Sequence, residues 1–301
     1  MHKRRQLCLL LGIMMILVLT GCSSSSSPPR EDKGPYYPPD MLLSEFREAP
    51  AVDVDDVVVD LSGVDEGYIG ISAVSNTKLR FQVFHGEDTY TYIVASDGTP
   101  SIFPLSGGSG YYSFRLLENI TDNKYMEVYS DDCYADMDDE FQPFLRPSDY
   151  VPYSPESECV KKAQEFTLTC GDAMGFIGCV YDYITSSVRY DTKKASTVTS
   201  GYMPDPDETM RTGKGICFDY AALAAAMLRS QGIPTKMVFG YVSPDDVYHA
   251  WNMFYTPETG WVTVKFEADP GWNRMDLTFS AGGVSESFVG DGENYADLYY
   301  Y

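Results

Sequence analysis

Cys217, His249 and Asp276 are the residues of this sequence whose types, order and local setting can carry thiol chemistry. The stretch 213–234 reads as a glycine-bearing loop, a helix and a stop. Gly213 and Gly215 precede the cysteine, alanines dominate 221–226, Gly232 offers a C-terminal cap, and Pro234 bars continuation. Small and apolar residues nearly all round mark it as a buried central helix. Cys217 falls at its start, where unpaired backbone N–H groups and the positive end of the macrodipole favour thiolate over thiol and are expected to lower the pKa. The two glycines let the loop come close to a substrate carbonyl, and the Cys217 N–H is placed to donate to an oxyanion. By itself, a cysteine at a helix start is more often packing than catalysis.

The second element, 248–255, alternates so that His249, Trp251 and Met253 share a face. Of three histidines, one lies in the first residues and one at His85, which makes His249 conspicuous, because a thiol nucleophile needs an imidazole within hydrogen-bond reach. His85 sits beside Gly86 at a strand end and reads as a solvated loop residue. The third element, 272–279, alternates with Trp272, Arg274, Asp276 and Thr278 on one face. A carboxylate there can accept from the second ring nitrogen of the histidine, fixing its tautomer and stabilising imidazolium. Each residue alone has a plain structural reading: a strand histidine satisfied by a neighbour, or one acid among 44. The ordered set on a helix start and two strands is much less probable by chance.

Other elements must position these groups. From residue 51 to 129 the chain alternates with period two: Val57/Val59/Leu61, Ile69/Ile71/Ala73, Leu79/Phe81/Val83, Tyr90/Tyr92/Val94, Tyr112/Phe114/Leu116 and Met126/Val128, with turn residues between. Short alternating strands at this spacing predict an antiparallel β-sandwich over 45–150. The acidic stretch 131–140 lacks the glycine and the downstream glutamate of a calcium-binding EF-hand loop and reads as a solvated connector. After Pro155 the spacing turns helical over 156–166 and 172–188, with Val180, Tyr183, Ile184 and Val188 on one face, placing a boundary near 150.

At the N-terminus, Lys3-Arg4-Arg5 precede an apolar run over 7–20 that is short for a bilayer span and reads as a signal peptide, 1–22. Leu19-Thr20-Gly21-Cys22 resembles the lipobox of bacterial lipoproteins, which makes Cys22 the lipidated residue; the plain alternative is a secretory leader with a chance cysteine. The expectation is an extracytoplasmic protein, lipid-anchored to the bacterial cell membrane and touching it through that lipid alone. Segment 23–44, with a run of five serines followed by five prolines, reads as a tether. The net charge of −22 repels phosphate and excludes nucleic acid as a partner of the body. With Cys217 kept free, Cys133, Cys159, Cys170 and Cys179 can form two disulfides or remain thiols, and Cys179 in its apolar helix looks more like core. No C-x-x-C pair suggests zinc.

The segment G-x-C-x-D-Y-A-x-L with R-x-x-G-I-P (215–234), the strand 238–241, H-A-W-N, W-x-x-x-D-x-T-F and Tyr190-Asp191 after a helix together resemble the transglutaminase-like superfamily of papain-fold proteins over about 155–280. The resemblance implies an α+β protein in which the sandwich is followed, over 151–301, by a core with its central nucleophile helix packed on an antiparallel sheet. It implies a Cys217-His249-Asp276 triad, supported by Trp251, Gly215 and Trp272. One departure stands out: the family's aspartate follows the first tryptophan after the histidine strand by four residues, and Trp261 leads instead to Lys265. Reading 260–271 as an added hairpin turning at Asp269-Pro270-Gly271 restores the spacing from Trp272 to Asp276, with Asp269 a distant alternative; Leu277 replaces the family's proline. The implied chemistry is attack on a carboxamide or peptide carbonyl of a protein or peptide substrate at the cell surface, a thioester, then transfer to an amine or water, with no cofactor required. Cross-linking, amide hydrolysis and peptidase activity share its first half. The rival is a catalytically silent module that binds surface proteins or wall polymers.

Overall fold

Alternating side chains build the first half of the protein, as a sheet with one buried face requires. The computed structural model describes residues 34–47, 52–54, 56–242, 247–264 and 295–301, all within one compact unit that begins at Asp32. Strands β1 (Val52–Val54), β2 (Val57–Asp60), β3 (Tyr68–Ala73) and β6 (Ser101–Pro104) form one antiparallel sheet in the order β1-β2-β3-β6. Strands β4 (Leu79–His85), β5 (Asp88–Val94), β7 (Gly110–Thr121) and β8 (Lys124–Ala135) form a second, β5-β4-β7-β8. The alternating residues Ile69, Ile71, Phe81, Val83, Tyr92, Phe114 and Leu116 are all buried. Two strands, β1 and β6, are too short to register in the sequence pattern.

Four expectations for this half change. Met126 and Val128 are exposed on the edge strand β8, whose buried residues are Tyr129 and Ala135 instead. Residues 131–135, the first half of the acidic stretch, belong to β8 rather than to a connector, held there by pairing with β7 from Gly110 to Phe114. His85 is half-buried: its ring stacks on Tyr112 at 4.3 Å, and Nδ1 lies 3.1 Å from the Tyr111 carbonyl. The later part of the Ser/Pro-rich segment is packed. Tyr36 stacks on Phe176 at 5.6 Å and donates to the Gln231 carbonyl, giving a nominal tether enough apolar and polar contact to order it.

The second half is helical on one side of a sheet. Helices α1 (Glu158–Thr167) and α2 (Ala173–Ser187) precede β9 (Arg189–Tyr190), α3 (Thr192–Thr197), α4 (Pro206–Thr212) and β10 (Lys214–Gly215). Helix α5 (Cys217–Arg229) then leads into β11 (Thr235–Val242), β12 (Val247–Thr256), β13 (Gly260–Val264) and β14 (Tyr295–Tyr300), arranged β13-β12-β11-β14. Cys170 and Cys179 are joined by a disulfide, so the reading of Cys179 as plain core is replaced by a link between the end of α1 and α2. Every residue of α5 from Asp219 onward is buried. Its alanines let the axis approach the sheet, and Asn252 of β12 donates to the Ala221 carbonyl at 3.0 Å. Gly232, with φ +76°, ends the helix, and the Ile233 N–H bonds back to Leu228 at 3.1 Å in the Schellman pattern.

One apolar cluster runs through both halves, with Tyr92 and Tyr150 meeting Tyr301 at 5.5 and 4.7 Å between ring centres. Beside it Arg229, wholly buried, donates to the main-chain oxygens of Thr235, Arg146 and Tyr301 at 2.8, 2.9 and 2.6 Å. Burial pushes its pKa down to about 10, which still leaves it a cation at neutral pH. Arg229→Met keeps the volume and strands three acceptors, so it is expected to cost about 3 kcal/mol in urea unfolding; a change below about 0.5 kcal/mol would show that this tie is not structural.

Candidate active site

Cys217 is the first residue of α5, and the elements around it explain why the helix starts there. Ile216 precedes it with extended backbone, φ −96° and ψ 176°. Asp219, in the first turn, accepts the Ile216 N–H at 2.8 Å, satisfying a donor that the helix leaves open. This carboxylate is wholly buried and has two further donors, Lys194 Nζ at 2.6 Å and Tyr202 Oη at 2.5 Å. A single acid therefore caps the cysteine helix and ties down α3 and the loop that follows it.

Gly215 has a different task from the one its sequence position suggested. A Cβ there would lie 2.7 Å from Asp219 Cβ, so the missing side chain makes room for the capping carboxylate rather than for a substrate. Gly213, at φ +62°, terminates α4 in the left-handed region. Both glycines act on the cysteine through the local fold.

The sulfur of Cys217 lies against β12. Burial raises its pKa above the ordinary thiol value, and this outweighs the N–H groups of Ala250, Phe218 and Cys217 itself, which point at the sulfur and pull the value down; Asp219 adds a smaller upward push. The expectation of a lowered pKa is thus corrected. The helix-start donors are present, but the loss of water costs the thiolate more. The described pairing of β12 with β13 ends at Asn252, and the Ala250 N–H two residues away goes to the sulfur.

His249 precedes Ala250 on β12, the strand whose main chain meets the Cys217 sulfur. It lies opposite Gly240 in the β11–β12 register, and its ring is 6.4 Å from that of Trp251, nearly parallel to it. Trp251 is buried, with its outer edge 2.7 Å from where a Gly240 Cβ would stand, so the indole backs the strand that presents the histidine. Asp276, Trp272, Asp269 and Lys265 lie outside the described residues, as does the proposed lipid site Cys22.

Sequence reasoning missed Asp219, Lys194 and Tyr202 as parts of the site. The Asp219 signal was an acid three residues after the residue that precedes the helix, a capping pattern; its partners come from 25 and 17 residues upstream and had no local signature. Tyr190, half-buried on β9, and Tyr248, beside His249, also feel the charge of Cys217, although burial is the larger cause of their raised pKa values. Among the described residues no group of three His, Cys, Asp or Glu side chains is arranged to hold a metal ion.

Comparison with known proteins bears on the same part of the chain. The family model of the transglutaminase-like superfamily matches residues 160–266. A protein-glutamine gamma-glutamyltransferase of Pseudomonas aeruginosa is 31% identical over 120 residues, 36% of this chain and 17% of that one. The uncharacterized protein YebA of Bacillus subtilis is 29% identical over 121 residues, 33% of this chain and 15% of its own length. The chain thus spans less than a fifth of either relative. Among solved structures, a protein of Cytophaga hutchinsonii aligns with a TM-score of 0.39 at 14% identity, covering 84% of this chain and 74% of that one. Red sea bream transglutaminase aligns at 0.29 and 12%, covering 66% and 48%.

Alkylation by iodoacetamide follows the thiolate fraction. The rate at Cys217 should therefore stay low at neutral pH and keep climbing beyond pH ~9, past the ordinary thiol value. The linked stability has a fixed sign: a folded-state thiol pKa above the unfolded one gives a contribution that is full below the ordinary value and is lost as pH rises from there through the higher folded value. A rate that levels off below pH ~7 would contradict the balance of burial over N–H donors.

Proposed function

Because the model of the transglutaminase-like superfamily matches residues 160–266, we propose that this chain is a thiol-dependent acyl transferase or amidase acting on protein or peptide carboxamides. The observation that carries the proposal is the Cys217 sulfur seated at the start of α5 against the Ala250 N–H, one residue from His249. Burial keeps the sulfur protonated, so His249 serves as a general base during attack rather than as half of a standing ion pair.

In this reading His249 takes the thiol proton as the sulfur–carbon bond forms. The carbon–nitrogen bond then breaks, and the departing amine takes a proton back from the imidazolium. The thioester that remains is resolved by an amine, giving transfer, or by water, giving hydrolysis. Asp276 orients the imidazole and stabilises its charged form, while N–H groups at the start of α5 receive the developing oxyanion. The leader and Cys22 place the enzyme outside the cytoplasm on a lipid anchor, so its substrates are proteins or peptides at the cell surface.

Mass spectrometry of surface proteins incubated with the full chain tests this. Deamidated, amine-linked or cleaved products are expected, absent with Cys217→Ala and reduced about 10²–10⁴-fold with His249→Ala. Products that persist unchanged with Cys217→Ala would overturn the assignment, and no products with any surface protein would favour the silent binding module.

A further inference from the structure

A groove of about 380 Å³ opens beside the first turn of α5, a volume typical of small-ligand sites. Phe218, next to Cys217, and Tyr248, next to His249, both line it. Phe239 stacks on Tyr248 at 5.9 Å and meets Phe218 edge-on at 5.0 Å, so this wall is continuous aromatic surface. The loop bearing Tyr202 forms another wall, and Asp219 fixes that loop to the cysteine helix through the Tyr202 hydroxyl. The opposite wall comes from the β-sandwich, where Arg80 of β4 lies with Thr91 and Ile93 of β5.

The charge of this groove runs against that of the chain. With 44 acids and a net charge of −22, none of the lining residues carries a carboxylate and one carries a guanidinium. Arg47, Arg115, Arg146 and Arg211 each pair with a glutamate. Arg80 is half-buried, lies over the Tyr125 ring at 4.3 Å, and among the described residues has no acidic partner. A planar fork with open donors suits a carboxylate, and aromatic walls suit a ring or other large apolar side chain.

We infer that the sandwich completes a substrate subsite for a peptide that carries an aromatic or large apolar side chain together with an acidic residue. The side chain lies against Phe239 and Tyr248, and the acid meets Arg80. The inference rests on the proposed function only in taking the occupant to be a peptide. It makes the sandwich a specificity element of the site rather than a spacer.

The test is fluorescence polarisation with the full-length Cys217→Ala chain, which reads binding without chemistry. The probes are fluorescein-labelled glutamine peptides with Phe and Glu separated by one to three glycines, a spacer of up to about 10 Å, and counterparts with Gly for Phe or Gln for Glu. The best Phe/Glu probe is expected to bind at least about tenfold more tightly than the doubly substituted one, and less tightly as salt is raised. Adding Arg80→Gln should abolish the preference for Glu and keep the preference for Phe, whereas Arg80→Lys should retain part of the former; melting temperatures check that each variant is folded. Equal binding of all probes, or loss of both preferences together in a folded Arg80→Gln chain, would overturn the subsite. Binding with these preferences in a protein that forms no acyl products would uphold the subsite and defeat the enzymatic reading instead.

Discussion

The contact between the Cys217 sulfur and the Ala250 N–H joins the two elements on which any chemistry here depends. Helix α5 carries Cys217 and β12 carries His249, and this contact is where the start of one meets the main chain of the other. Much of the surrounding fold serves it. Asp219 fixes where the helix begins, the alanines of α5 let it lie close to the sheet, and Trp251 backs the strand. The same closeness removes water from the sulfur, so the arrangement that aligns the thiol also holds it in the neutral form.

That balance decides which mechanism the site can run. A thiol in water at a helix start would ionise readily, and one buried without donors would be inert. Cys217 lies between these limits, with three N–H groups partly offsetting the desolvation. Such a sulfur reacts slowly unless a base takes its proton. Cys159, also buried, differs in its neighbour: desolvation and Asp207 drive its pKa far upward against the smaller pull of the Val160 and Cys159 N–H groups, and it reads as packing.

The sequence disclosed the features that rest on local pattern. Period-two alternation gave the sandwich strands whose inward faces are buried, and the run from Gly215 to Pro234 gave α5 with its cap. What it concealed depends on contacts between distant segments. Met126 and Val128 alternate as core residues do and yet face outward, since nothing local tells an edge strand from a central one. Tyr36 follows a serine- and proline-rich stretch and yet packs on α2. Lys194 and Tyr202 enter the site only because a buried acid near the cysteine needs donors, and Arg80 gains meaning only when the sandwich is seen to face the cleft. Spacing places Cys217 at a helix start, but neither its burial nor the Ala250 N–H that β12 brings to it can be read from spacing.

The most direct measurement is intact-mass and peptide-level mass spectrometry of the chain quenched in acid during reaction with a glutamine peptide and no added amine. The account predicts a covalent adduct on the peptide containing Cys217, equal in mass to the donor less ammonia, that accumulates before product and is discharged when an amine is added. Product formed with no such adduct, or an adduct carried by Cys133 or Cys159 instead, would contradict it.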